Sequence, residues 1–234
     1  MWFAPLRVQR KPMYKIALLV STISTTNLFR SAVLKAFSAP HHTNFLICSG
    51  FFHERNNGRG PFYASNAFAG ARTTFPVGSS ITTVGAYNPG CTEYLSFVSS
   101  LRGTMKNDRG SPLRVRARYA KRKWQNKWHA KIFIAAEKRV PRFAVIGSSN
   151  LTRAAFGPVP TNNESDVIIW DDSHAATRMV ADAALAGLDD VPTREGKPHI
   201  FIGNYDPTDP RNTTSTRMEQ RLTDLWKDVV TATR

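Results

Sequence analysis

Apolar and polar residues alternate along the chain in two patterns, one with helical spacing and one with extended spacing. Helical spacing predicts amphipathic helices over residues 25–38, 92–103 and 173–188, and a C-terminal helix with an apolar face formed by Met218, Leu222, Leu225, Trp226 and Val229. Extended segments are predicted at residues 44–52, 80–87, 113–120, 128–136, 142–147 and 164–170. The chain is therefore expected to mix helices and strands.

Several of the predicted strands are apolar over most of their length rather than on alternate residues only. Residues 44–52 and 164–170 show this clearly, and such runs are typical of strands buried on both faces. We therefore predict a single α/β domain, in which a mixed β-sheet is flanked by helices on both faces. The predicted domain spans residues 14–234 and follows a loose basic arm over residues 1–13. The polar, proline-bearing residues 189–212 are assigned no helix or strand.

The charge of the chain is strongly positive and unevenly distributed. Its 32 Lys and Arg against 17 Asp and Glu give a formal net charge of +15, and residues 102–131 alone hold eleven basic side chains and one acidic one. Basic groups beside aromatic rings suit phosphate contact and base stacking, although a charged run can also be a solvated surface. We predict that nucleic acid binds the segment through Arg114, Arg116, Arg118, Lys121, Lys123 and Trp124.

The apolar runs are too short for a membrane span, which needs ~18 residues. Residues 1–26 weakly imitate a signal peptide, because basic residues precede the apolar run IALLV. That run is short and no clear cleavage site follows it. We expect a cytoplasmic protein without a transmembrane segment, the alternative being export through this signal-like N-terminus.

A histidine and a lysine separated by one residue mark the most reactive part of the sequence. If residues 128–136 form a strand, His129 and Lys131 point to the same side, because residues i and i+2 share a face. The next predicted strand ends in the segment Gly147-Ser148-Ser149-Asn150, which we expect to make a sharp turn into a helix. A helix start with small polar side chains binds anions. If the two strands are neighbours, these groups form one phosphate site.

These residues, together with the segment NNESDVII at residues 162–169, resemble the phospholipase D superfamily. The likeness is greatest to its small bacterial nucleases that carry one copy of the motif. The resemblance implies that His129 is the nucleophile and that Glu164 orients it. It also implies that Lys131, Ser148 and Asn150 bind the phosphate.

One position departs from the family pattern. The family has an aspartate five positions after the lysine, where this chain has Ala136. That aspartate is not usually assigned a direct chemical role, so the catalytic groups implied by the resemblance are complete. The expected chemistry is phosphodiester cleavage through a phosphohistidine, without a metal ion or another cofactor.

The expected mechanism needs a second histidine as general acid, because the leaving alkoxide must be protonated. Of the six histidines in the chain, only His129 has a lysine two positions later. We therefore expect a homodimer with the active site at its interface. The rival within the chain is His53, by default an ordinary histidine at the end of a strand.

Three functions remain open from the sequence. The first is a nuclease that cleaves DNA or RNA, which the basic, aromatic-bearing segment favours. The second is a lipid phosphodiesterase or phosphatidyltransferase, and the third is a catalytically silent nucleic-acid-binding module, against which the complete residue set argues. Metal catalysis has weaker support, because Asp171 and Asp172 are better interpreted as the N-cap of a helix.

Overall fold

An eight-stranded mixed β-sheet organises the chain. The computed structural model describes residues 13–21, 27–50, 52, 62–85, 92–121, 129–158, 163–186, 199–210 and 216–233. The strands of the large sheet are β1 (Tyr14–Ser21), β2 (Asn44–Cys48), β4 (Ser80–Gly85), β6 (Arg114–Tyr119), β7 (Ile132–Glu137), β8 (Val140–Gly147), β9 (Glu164–Asp171) and β10 (His199–Asn204). A separate small sheet pairs β3 (Thr74–Phe75) with β5 (Lys106–Asn107).

The large sheet has the strand order β10-β1-β9-β8-β7-β2-β4-β6. From β10 to β2 all neighbours are antiparallel, whereas β2, β4 and β6 run parallel to one another. The helices are α1 (Leu28–Ser38), α2 (Ala64–Ala67), α3 (Thr92–Thr104), α4 (Arg153–Phe156), α5 (Ala175–Leu185) and α6 (Met218–Ala232). The predicted mixed sheet is therefore confirmed.

Both faces of the sheet are buried, which explains why its strands are apolar throughout. In β7, Phe133 and Ala135 join the larger core cluster, to which α1, α3 and α5 contribute. Ile132 and Ile134 alternate with them and join the second cluster, beneath α6. The prediction of helices on both faces is confirmed.

The start of α1 is held by one asparagine, which also ties it to the chain that follows β8. The Asn27 side chain accepts a hydrogen bond from the Arg30 N–H at 2.8 Å, as an N-cap does. Its Nδ2 group donates to the carbonyls of Ala155 and Gly157 at 2.8 and 2.9 Å. Asn27 thereby ties α4 and the residue that follows it to the start of α1.

Two strands of the sheet were not predicted from the sequence. β1 contains the IALLV run that imitates a signal peptide, and it lies between β9 and β10. β10 lies within the proline-bearing residues 189–212, to which no strand was assigned. Within the described part of the chain, helices with the length and apolarity of a membrane span do not occur.

Candidate active site

The predicted site residues lie at one end of four adjacent strands. The Gly147 N–H donates to the Lys131 carbonyl at 3.2 Å, and Gly147 pairs in register with Asp166 on β9. On the other side, β2 ends at Cys48 opposite Ile132, so the next residue, Ser49, lies beside Lys131. The expectation that the two motif strands are neighbours is confirmed, because β7 pairs with β8.

His129 and Lys131 are not on a strand, contrary to the prediction for residues 128–136. Strand β7 begins at Ile132, where β2 ends on one side, and β8 ends at Gly147 on the other. The residues before Lys131 therefore extend past the described ends of both neighbouring strands. His129 is exposed and Lys131 is half-buried, so both side chains are open to a ligand from solvent.

The Lys131 ammonium and the Asn150 amide converge beside Gly50. A β-carbon added to Gly50 would lie 3.8 Å from the Lys131 Nζ atom and 3.3 Å from the Asn150 Oδ1 atom. A larger side chain at this position would reach into the space between the two groups. Gly50 therefore keeps open the space beside the Lys131 ammonium and the Asn150 amide.

A buried serine from the end of β2 fixes the asparagine. The Ser49 hydroxyl donates to the Asn150 Oδ1 atom at 3.4 Å and accepts a hydrogen bond from the Leu151 N–H at 2.9 Å. Ser49 is fully buried, so this contact is shielded from water. With Oδ1 held in this way, Nδ2 is the end of the side chain that can donate to a phosphoryl oxygen. Sequence reasoning missed Ser49 and Gly50, because it extended the preceding strand to residue 52.

Glu164 is the first residue of β9 and contacts the serine of the motif. Its carboxylate accepts a hydrogen bond from the Ser148 hydroxyl. Ser148 also accepts a hydrogen bond from the Ser165 N–H at 3.0 Å and donates its own N–H to the Ser165 carbonyl at 3.0 Å. The structure thus brings Glu164 and Ser148 together at this end of the sheet. That Glu164 orients His129 stays a prediction.

Gly147 is required by a close approach of two strands. A β-carbon at Gly147 would lie 2.2 Å from an Asp166 carboxylate oxygen and 2.5 Å from the Ser165 carbonyl. No side chain fits there without moving β9. Because Gly147 is still within β8, this packing, rather than a sharp turn, explains the glycine.

The segment from Ser148 to Asn150 does not begin a helix, which corrects the sequence interpretation. Helix α4 starts at Arg153 and has only four residues, with Thr152 as its N-cap. Ser148, Ser149 and Asn150 therefore do not have the dipole of a helix N-terminus behind them.

The buried carboxyl group of Asp166 holds the segment from Ser148 to Asn150 through hydrogen bonds with Ser149. The Ser149 hydroxyl and N–H donate to the two carboxylate oxygens of Asp166 at 2.6 and 3.2 Å. Burial raises the pKa of Asp166 from 3.8 to about 6, and the hydrogen bonds from Ser149 oppose this effect. The sequence had singled out Glu164 but not Asp166, since a polar residue at the start of an apolar strand gives no sign of its burial.

Replacement of Asp166 by asparagine is expected to stabilise the fold at pH 8 by up to about 3 kcal/mol. The folded-state pKa is raised, so the stability that this carboxyl contributes is fully present below its ordinary pKa of 3.8 and is lost as the pH rises through about 6. The difference between Asp166→Asn and wild type should therefore vanish near pH 4. Urea unfolding from pH 4 to 8 measures it, with the exposed Asp182→Asn as control. Equal stability of Asp166→Asn and wild type at pH 8 would contradict the expectation.

The arginines of β6 are not equivalent. Arg118 donates three hydrogen bonds of 2.7–2.9 Å to the Val230 carbonyl and to the hydroxyl and carbonyl of Thr233, so it holds the end of α6. Arg114 and Arg116 are exposed and lie toward the opposite end of the sheet from Lys131. Lys121 is exposed, and Lys123 and Trp124 lie outside the described residues.

The alternative catalytic groups considered from sequence are engaged elsewhere or not described. Asp171 accepts hydrogen bonds from Arg142 and Ser173, and Asp172 from Trp170. The N-cap of α5 is His174, so the N-cap interpretation of the two aspartates is wrong. His53 lies outside the described residues, among which no cluster of three or more potential metal-ligating side chains occurs.

Comparison with known proteins gives only distant likenesses. No protein-family model matches the chain, and no curated protein sequence does. Similar solved structures include a polyphosphate kinase from Porphyromonas gingivalis, with a TM-score of 0.40 and 12% identity over 77% of this chain and 27% of that one. A phosphatidylserine synthase from Haemophilus influenzae has a TM-score of 0.36 and 12% identity over 93% of this chain and 45% of that one. A yeast tyrosyl-DNA phosphodiesterase has a TM-score of 0.37 and 14% identity over 67% and 46%.

This chain spans less than half the length of each of these structures. TM-scores of 0.36 to 0.40 carry no functional argument. The chemistry of the site is therefore inferred from the residues of this chain alone.

Proposed function

We propose that the chain is a phosphodiesterase that cleaves nucleic acid with His129 as nucleophile. The observation that carries the proposal is the convergence of the Lys131 ammonium and the Asn150 amide beside Gly50, at the end of the sheet where His129 is exposed. A cation beside an amide whose Nδ2 group is left to donate suits the non-bridging oxygens of a phosphodiester. An imidazole two residues from the cation is within reach of the same phosphate.

The reaction proceeds in two displacements. In the first, an imidazole nitrogen of His129 forms a bond to phosphorus while the bond to one ester oxygen breaks, and a second histidine protonates that oxygen. Lys131 and Asn150 stabilise the negative charge on the phosphoryl oxygens in the transition state. In the second, water attacks phosphorus, the phosphorus–nitrogen bond breaks, and the second histidine accepts the proton. Glu164 would hold the neutral imidazole in the tautomer that leaves the attacking nitrogen unprotonated.

Nucleic acid is the favoured substrate class because of the charge of the chain. The net charge is +15, and eleven basic side chains lie within residues 102–131, the segment that ends at Lys131, so the chain attracts a phosphate polymer. A lipid headgroup would use one phosphate site, and nothing in this distribution of charge favours it.

Cleavage of single-stranded DNA or RNA is expected to continue in EDTA, because the nucleophile is a side chain and the site supplies its own cations. The assay offers labelled single- and double-stranded DNA, RNA and phosphatidylcholine vesicles in turn, each with EDTA and with Mg²⁺. Loss of nucleic-acid cleavage in EDTA and its return with Mg²⁺ would contradict the mechanism. Turnover of the vesicles alone would assign the site to lipid instead.

The second histidine is proposed to come from a second copy of the chain. A two-fold axis would bring two His129 residues to one composite site. If the site needs both, a nine-fold excess of the His129→Ala variant leaves only about a tenth of the wild-type chains in wild-type pairs. Activity per wild-type chain should therefore fall about ten-fold after the chains are mixed and exchanged. Activity that follows the wild-type concentration alone, from a particle that light scattering finds monomeric, would contradict the dimeric site.

A further inference from the structure

We propose that a second site, separate from the candidate active site, binds a strand of nucleic acid in a cleft on the face of the sheet that α6 covers. This basic cleft is a cavity of about 890 Å³ between α6, β6 and the turn that joins β7 to β8. Its lining includes Arg114, Arg116, Lys138, Arg139, Lys227 and Trp226. The inference does not depend on the chain being an enzyme.

The basic cleft and the candidate active site lie at opposite ends of the sheet. Thr43 and Ser80, which line the cleft, are at the starts of β2 and β4, whereas Ser49 and Gly50 follow the end of β2. Six residues of β4 span about 17 Å. The cleft also lies beneath α6, because Thr223 and Trp226 of that helix line it. A ligand in the cleft therefore cannot be the phosphate that Lys131 and Asn150 hold.

Five cationic side chains from three parts of the chain surround the cleft. Arg114 and Arg116 come from β6, Lys138 and Arg139 from the β7–β8 turn, and Lys227 from α6. No Asp or Glu is among the described residues that line it. Such a concentration of cations attracts a ligand with several negative charges. The low-dielectric protein that walls the cleft strengthens the electrostatic field of these cations.

Two carboxylates that are adjacent in sequence to lining residues do not neutralise this surface. Glu137 precedes the turn, but its carboxylate lies 3.3 Å from the His174 Nε2 atom and 3.7 Å from the Arg142 Nε atom. Asp224 lies 3.5 Å from Lys227, and both side chains of this pair are at least half exposed, so water screens it. Among the described ion pairs of Glu137 and Asp224, Lys227 is the one partner that lines the cleft.

The β7–β8 turn keeps two long basic residues where the backbone favours others. Lys138 and Arg139 both have positive φ angles, of 48° and 72°, as in a two-residue type I′ turn. Asn-Gly is the preferred pair in such a turn, because asparagine adopts a positive φ more readily than other residues with a β-carbon and glycine has no β-carbon. The turn thus places two cations at the rim of the cleft at a cost in backbone strain, as binding sites often do.

Trp226 distinguishes a nucleic acid from other polyanions. Its side chain is half-buried, packs against the core cluster beneath α6, and also lines the cleft. An aromatic side chain beside cations can stack on a base while the cations contact the flanking phosphates. The cleft volume is that of a site for a small ligand, which fits a few nucleotides of a single strand rather than a duplex.

The test measures binding of a fluorescent twelve-residue oligothymidylate by anisotropy, on a His129→Ala background so that no cleavage interferes. Lys138→Asn with Arg139→Gly removes two cations and installs the preferred turn. We expect it to weaken binding at least five-fold and to lower the slope of log K against log salt by about 1.4. We also expect it to raise the melting temperature. Lys35→Ala with Arg178→Ala, on exposed positions of α1 and α5, removes the same charge from the other face and should leave binding unchanged.

Two further variants test the base contact. Trp226→Leu should weaken oligothymidylate binding at least about five-fold, and Trp226→Phe should retain most of the affinity because it keeps a ring. Neither change should alter the competition by inorganic polyphosphate of matched charge.

Three results would overturn the proposal. The first is unchanged oligothymidylate binding by the Lys138→Asn, Arg139→Gly variant, and the second is an equal loss of binding by the Lys35→Ala, Arg178→Ala control. The third is unchanged binding by both Trp226→Leu and Trp226→Phe. Cleft binding without any cleavage by wild type would refute the proposed function and leave this inference standing.

Discussion

Replacing His129 by alanine is expected to lower the rate of phosphodiester cleavage by at least about 10⁴-fold, as the loss of a nucleophile does in other enzymes. In the proposed mechanism the imidazole forms the bond to phosphorus, and an alanine provides no atom that can replace it. His129 is exposed and precedes β7, so its removal takes nothing from the core and the melting temperature should not change. Turnover of a small diester, bis-p-nitrophenyl phosphate, measures the chemistry independently of the binding of a polymer.

The matched control for this change is His41→Ala. His41 is half-buried near the start of β2, at the other end of the sheet, where its ring lies 4.0 Å from that of His42. It is expected to keep wild-type turnover. A His129→Ala variant that folds and turns over the small diester at the wild-type rate would place the nucleophile elsewhere.

Replacing Lys131 by alanine should have the second largest effect, a fall in kcat of about 10²- to 10³-fold. Its ammonium lies with the Asn150 amide beside Gly50, and in the proposed mechanism it stabilises charge that grows in the transition state. The effect should therefore appear mainly in kcat, with KM changed much less. Because a guanidinium is larger and planar, Lys131→Arg should recover only part of the rate in the space that Gly50 leaves open.

Lys35→Ala serves as the control for Lys131→Ala, since it removes one cation from an exposed position of α1. Steady-state kinetics with the small diester separates kcat from KM for each variant. A Lys131→Ala variant with unchanged kcat and raised KM would show that the lysine binds ground state and transition state equally, which contradicts the role assigned to it.

The elements of the fold that carry strong local patterns could be predicted from the sequence. The helix over residues 25–38 is found as α1, and the apolar runs at 80–87 and 164–170 are found as β4 and β9. β1 was not predicted, because an apolar run after basic residues has the same composition whether it pairs in a sheet or forms the apolar part of a signal peptide. Only its partners, β9 and β10, distinguish the two, and pairing between distant segments leaves no local mark.

The reactive groups of the candidate site could be found from spacing, but the residues that position them could not. His129, Lys131 and Asn150 belong to a recognisable pattern. Ser49 and Gly50 come to Asn150 from about 100 residues earlier in the chain, through the pairing of β2 with β7. The pairing of β8 with β9 likewise decides the burial of Asp166.

The roles of the arginines in the basic segment, residues 102–131, could not be predicted from the sequence either. Its arginines alternate along β6 as predicted, yet Arg118 holds the C-terminal end of α6 while Arg114 and Arg116 line a cleft beneath that helix. The sequence places these three residues on one face, but it does not show what else covers that face.

The proposed mechanism depends above all on a covalent bond between His129 and phosphorus. The measurement is a rapid quench in alkali with an oligonucleotide that carries one ³²P-labelled internal phosphodiester, followed by mapping of the labelled residue. The label stays with the enzyme whichever ester oxygen leaves, and a phosphorus–nitrogen bond survives alkali and breaks in acid. We expect acid-labile label on His129 in wild type and in His41→Ala, and none in His129→Ala. Turnover of the oligonucleotide by wild type with label on another residue, or with no covalent label at any quench time, would contradict the account.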